Sequence, residues 1–246
     1  MKKVLEICVD SLESAIIAQQ AGADRIELCG CLEVGGVTPD PALFLLAREK
    51  LSIPIHILIR PRIGNFVYSE AEQAVILKSI EFFYQHGADA VVVGALNQYN
   101  ELDQELLVHT LEAASAMSVT FHRAFDLVSD PIKAFTQLEE IGVPRVLTSG
   151  QQSVVVNGIP LLETLMKQSS KVKILAGGGV NSQNVTQLLD AGINEIHASA
   201  RQPSSQNFIA CKISLSKLEP DEYRLADSQE IANLRNQLNN YNSYVQ

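Results

Sequence analysis

Short β-branched runs alternate with longer amphipathic stretches along the chain to about residue 200, the pattern of repeated βα units. The runs predict strands over Val4–Val9, Arg25–Cys29, Ile53–Arg60, Ala90–Ala95, Val119–His122, Arg145–Ser149, Lys173–Ala176 and Glu195–Ser199. Intervening helices open on readable caps: Asp10 with Glu13, Ser69 with Glu72, and Asp130 ahead of Pro131. Gly22, Gly87, Gly142 and Gly192 each stop a helix and lead into a β-branched run, so every second unit carries the same punctuation. A strand-like or loop stretch around Ile209–Leu215 precedes a last helix, capped by Asp227 with Glu230 and running to about Asn240.

Eight βα units in one chain close most simply as a single-domain (β/α)8 barrel over residues 1–246, with 202–246 supplying a C-terminal segment and the last helix. A doubly wound open sheet would usually carry a glycine-rich turn after its first strand, where this chain has Asp10-Ser11-Leu12. In a barrel alternate strand residues face the lumen or the helices. The apolar set, such as Leu5, Ile7 and Val9 or Ile53, Ile55, Ile57 and Ile59, must meet the helices. The lumen then receives Glu6, Cys8, Arg25, Glu27, Cys29, His56, Arg60, Thr120, His122, Ser149, Glu195, His197 and Ser199. Chemistry in such barrels sits at the strand C-termini, so Arg25 and Glu195, at strand starts, are assigned to structure. Glu6, Glu27 and His122 are acid/base candidates.

Composition narrows the partners. With 19 Lys+Arg against 28 Asp+Glu the net charge is −9, and no basic block stands out, which disfavours nucleic acid and anionic membranes. The longest apolar runs are far too short to span a bilayer, and Glu6 and Asp10 interrupt any secretory core, so a cytoplasmic location is expected. The 4 cysteines do not make a secreted disulfide framework and are read as thiols. Glu6-Ile7-Cys8 and Glu27-Leu28-Cys29 repeat one pattern on neighbouring strands, bringing two soft donors to one region. Packing alone would also explain buried cysteines. Cys31 adds a third thiol, and Cys211 has no assigned role.

Positive charge is concentrated by position. Arg60, Arg62, Arg123 and Arg201 stand at or just beyond the ends of predicted strands, together with Asp126, Ser149, Ser199 and the Ala176-Gly177-Gly178-Gly179-Val180 turn ahead of Asn181 and Ser182. Glycine amides at a helix start after strand seven form the usual phosphate site of this architecture. Gly178, Gly179 and the arginines therefore predict a site for a small anionic ligand.

The segments LEICVDS from Leu5, GADRIELC from Gly22, Gly35-Gly36-Val37-Thr38-Pro39, IRPR from Ile59, FVYS from Phe66, VTFHRAFD from Val119 and RVLTSGQ from Arg145 resemble the CutC family over residues 4–201. The resemblance implies a (β/α)8 barrel, a cytoplasmic homo-oligomer (dimer or tetramer) and a role in copper homeostasis, with Cys8 and Cys29 in the positions linked to Cu(I). The chain departs from the family's R-P-R-G-G-D-F at Ile63 and Asn65, and Glu33 stands one position earlier than the family's glutamate. Two readings follow: a Cu(I)-binding protein, or a barrel enzyme acting on a small anionic substrate, phosphorylated compounds included.

Overall fold

A computed structural model describes residues 2–169, 171–204 and 223–244, with side chains of the last helix placed as far as Tyr241. The predicted stretch Ile209–Leu215 and Cys211 lie outside the described residues. The strands are β1 (Val4–Val9), β2 (Arg25–Leu28), β3 (Ile55–Leu58), β4 (Ala90–Val93), β5 (Ser118–Phe121), β6 (Arg145–Thr148), β7 (Lys173–Ala176) and β8 (Glu195–Ala198). They pair in sequence order and β8 returns to β1, closing a parallel (β/α)8 barrel. Around it lie α1 (Leu12–Gln20), α2 (Pro41–Lys50), α3 (Glu70–Gln85), α4 (Gln104–Ala114), α5 (Pro131–Ile141), α6 (Ile159–Gln168), α7 (Val185–Asp190) and α8 (Ser228–Tyr244). A short antiparallel ribbon, β9 (Arg201–Pro203) with β10 (Arg224–Ala226), precedes α8.

The alternation sorts as the sequence predicts. Leu5, Ile7, Ile26, Leu28, Ile55 and Ile57 are fully buried in the apolar layer between barrel and helices. Each such side chain contributes about 1.5–3 kcal/mol. Helix ends follow local chemistry as well. Ser69 and Glu72 form a reciprocal capping box, and the Asp130 carboxylate accepts from the Ile132 and Lys133 amides. Gly22, Gly87, Gly142 and Gly192 all have positive φ at their helix ends. The start of α1 differs: Ser11 is the cap, accepting from the Ser14 amide at 3.1 Å. Asp10 instead accepts from the Leu32 amide at 3.1 Å, tying β1 to the loop beyond β2. The last helix extends to Tyr244 rather than Asn240.

Inside the barrel a belt of charge replaces an apolar core. Arg25 of β2 bridges Glu6 of β1 and Glu195 of β8, the latter at 2.7 Å. Arg145 of β6 takes the same Glu195 oxygen at 2.7 Å and Lys173 of β7 approaches the other oxygen to 3.8 Å. His56 of β3 lies 3.3 Å from Glu6. The pairing register makes this possible, because Glu6 stands opposite Arg25 on one side and His197 on the other. Burial would raise the Glu6 carboxyl, but Arg25, His197 and His56 hold it well below the ordinary range. The belt is the floor on which the site rests.

Candidate functional site

A cavity of about 430 Å³ opens above this belt at the C-terminal ends of the strands. Its inner wall is charged and sulfur-bearing: Cys8 from β1, Glu27 from β2 and His197 from β8. Cys8 and Glu27 are register partners across the β1–β2 ladder. One ligand atom from each of the three lies within 4.8 Å of the others. His197 Nδ1 is 2.8 Å from Glu6, while Nε2 faces Glu27 at 3.8 Å. A carboxylate on one imidazole nitrogen orients the ring so that the other can serve a metal. Burial would lower the His197 pKa, but Cys8, Glu6 and Glu27 raise it well above the usual imidazole value. Glu27 is pushed up to about 7, chiefly by burial, with His197 opposing and Glu6 reinforcing the shift.

The opposite wall holds Arg60, Phe66 and His122. Arg60 is 8% exposed and His122 5%. The guanidinium is moored to backbone carbonyls, Nη1 to Gly36 at 3.0 Å and Nη2 to Gly64 at 2.9 Å. Among the described residues no carboxylate pairs with it, and its Nε has no hydrogen-bond partner. His122 closes β5 and caps the one-turn helix Arg123–Leu127, its Nδ1 accepting the Ala124 amide at 3.1 Å. Its Nε2 is buried without a partner among the described residues. Burial and then Arg60 push its pKa down to about 3. The ring fits because position 94 is glycine: a Cβ there would stand 2.2 Å from His122 Cε1 and 2.3 Å from Nδ1. Gly94→Ala is therefore expected to lower stability by about 1–3 kcal/mol through overpacking and to shift the His122 ring resonances in an NMR spectrum. Unshifted resonances would mean that this contact does not seat the ring.

At the rim Gly178 and Gly179 line the cavity with Arg123 and Ser199. Both glycines have positive φ, and a Cβ on Gly178 would meet Ser149 Cβ at 2.9 Å. The expected helix-start contribution is absent, since the Ser182 amide and hydroxyl bond Glu230 at 2.6 and 2.8 Å. α7 begins only at Val185 and is one and a half turns long.

The structure thus brings Cys8, Glu27, Arg60, His122, Arg123, Gly178, Gly179 and Ser199 to one cavity. Other predicted residues are placed elsewhere. Glu6 lies below the cavity, committed to Arg25, because it precedes Cys8 by two residues on β1 and so sits one layer lower. Arg62 turns outward to Glu72 at 2.5 Å, since alternation ends with the strand. Asp126 is filled by the Thr148 hydroxyl, the Ser149 amide and Arg123, so it positions Arg123 rather than facing a ligand. Ser149 lies in that same network, its Oγ 2.9 Å from Asp126 and accepting from Arg123 at 3.0 Å. Arg201 pairs with Glu33 at 2.5 Å and approaches Asp10 to 3.6 Å. Cys29 packs with Leu58 and Val92 under Leu32 and donates to the Val9 carbonyl at 3.5 Å. Burial, then the neighbouring Cys8, Glu27 and Asp10, push its thiol up, which keeps it protonated. His197 is the residue sequence reasoning placed in the lumen without giving it work; its partners lie on other strands and no local motif announces them.

The CutC family model matches residues 3–202. A CutC family protein of Pasteurella multocida is 45% identical over 199 residues, covering 80% of this chain and 82% of its own. One from Bacteroides thetaiotaomicron is 46% identical over 206 residues, covering 82% of this chain and 83% of its own. The crystal structure of CutC from Streptococcus agalactiae, whose assignment to copper homeostasis is itself provisional, superposes with a TM-score of 0.76 at 30% identity, over 80% of this chain and 98% of that one. With the closed eight-stranded barrel and matches of this extent, the chain belongs to the CutC family.

Proposed function

We propose that this chain handles copper, taking Cu(I) as cargo at the barrel mouth through Cys8, with His197 and Glu27 beside it. The observation that carries this reading is the Cys8–Glu27–His197 group, with its ligand atoms within 4.8 Å and His197 oriented by Glu6. Thiol and imidazole are the soft and borderline donors that suit copper, and the carboxylate broadens the fit toward zinc. Cys29 is the second thiol implied by the family resemblance. Its apolar cover and raised pKa favour His197 as the partner of Cys8. A reducing cytosol would keep these thiols available, and Cys8, Cys29 and Cys31 are free in the structure.

The test is an anaerobic Cu(I) titration competed against a chelator of known affinity. Wild type is expected to hold one Cu(I) per chain, and Cys8→Ser to weaken it by roughly 100-fold because the sole soft donor of the group is lost. Cys29→Ser is expected to stay within about threefold of wild type, since a structural thiol ligates nothing. Unchanged binding by Cys8→Ser would defeat the reading. Binding lost with Cys29 but kept in His197→Phe would return the site to the two thiols.

A further inference from the structure

We infer that the same cavity carries a second binding site, separate from the sulfur-bearing wall, that takes one small oxyanion group, a carboxylate or a phosphate, on Arg60 and His122.

Arg60 is a buried cation that no described carboxylate neutralises. Its moorings to the Gly36 and Gly64 carbonyls orient the guanidinium but carry no net charge. The ring of Phe66, 4.9 Å from Cζ, offers only its quadrupole. A guanidinium left in this state is strongly unfavourable unless a counter-charge arrives from outside the fold. Its Nε–H, with no partner, is the donor left over for that counter-charge.

His122 supplies the second donor. Because Nδ1 accepts the Ala124 amide, the ring proton resides on Nε2, the atom with no partner. The imidazole is neutral through the physiological range, so it donates one hydrogen bond and does not act as a base. The His122 ring lies 4.8 Å from Phe66, the same ring that Arg60 covers, so both donors flank one aromatic wall of one cavity. Two donors and a positive charge on this wall favour an acceptor-only group against it and disfavour an ammonium. Leu32, Leu58 and Leu147 line the same cavity and leave an apolar surface for the rest of a small organic acid or phosphoester.

The experiment is thermal denaturation of the full chain in sodium phosphate and, separately, sodium malonate, each against sodium chloride of equal ionic strength. At least one anion is expected to raise Tm saturably, by roughly 5–10 °C at a hundredfold excess over its Kd. A response to phosphate alone identifies a phosphate site and a response to malonate alone a carboxylate site. Arg60→Met is expected to fall to the chloride baseline. Cys8→Ser is expected to keep the full response, which separates this site from the copper reading. If Arg60→Met does not fold, side-chain 15N spectra of the wild type provide the readout: the His122 Nε2–H signal should move with the stabilising anion. No saturable effect beyond chloride, an equal response in Arg60→Met, or an unmoved Nε2–H signal would each overturn the inference.

Discussion

Arg25→Met is expected to destabilise the barrel by about 3–5 kcal/mol, a large fraction of the roughly 5–15 kcal/mol that holds a typical domain folded. Arg25 is the cation shared by Glu6 and Glu195, and all three side chains are buried. Removing it leaves two carboxylates facing each other in a site that water does not reach. Glu195 keeps Arg145 at 2.7 Å, but Glu6 is left with His56 and His197 alone. The second change Glu6→Gln should therefore recover part of the loss, because the uncompensated charge goes with it. Urea denaturation of wild type, the single and the double variant measures both effects. A single-variant loss below about 1 kcal/mol, the range of exposed ion pairs, would show that the belt does not support the barrel.

The second large effect is a pH dependence. In the unfolded chain His122 titrates near 6.5, and in the folded protein near 3. Between those values the unfolded state binds the extra proton, so stability falls as the pH is lowered through 6.5 and the loss is complete near 3. A span from 6.5 to about 3 is worth on the order of 5 kcal/mol. Other groups act in neighbouring windows. Glu6 and Glu195, held below the ordinary carboxyl value, lose their stabilising effect only as the pH falls through and below about 4.5. Glu27, raised to about 7, acts in the opposite sense and stabilises the fold as the pH falls from 7 to 4.5. His197 is raised, so its contribution is complete below 6.5 and is lost at higher pH. The difference between wild type and His122→Asn isolates the imidazole, because an asparagine oxygen can still accept the Ala124 amide but does not titrate. The variant should gain on wild type by about 2–3 kcal/mol between pH 6.5 and 4.5. Parallel stability curves over that interval would mean that His122 is not held neutral by burial.

The charge belt was partly legible beforehand. Arg25 and Glu195 stand at strand starts, and strand parity turns both inward. The same parity also turns Glu6 inward, two residues before Cys8 and so one layer deeper, but does not reveal its partners, which depend on the stagger between β1 and its neighbours. Cap chemistry shows a similar boundary. Ser69 and Glu72 cap α3 as read because both partners lie within one turn. Asp10 does not cap α1 because the Leu32 amide, brought near only in the folded chain, takes its carboxylate.

Rhythm and local punctuation thus determined the (β/α)8 barrel, its apolar outer face and the identity of most lumen residues. These follow from a period of 2 in strands and 3.6 in helices, which neighbouring residues fix. The tertiary structure alone decided which lumen residues share a space. Cys8 meets His197 because the sheet closes, Arg25 and His197 reach Glu6 because the strand register sets them beside it, and Cys29 is covered because the loop carrying Leu32 folds over it. Alternation carries Arg60 into the cavity as parity predicts, but past the last ladder bond it no longer sets direction, and Arg62 turns toward Glu72. Closure, stagger and loop path are properties of contacts between distant segments, and no local pattern in the chain encodes them.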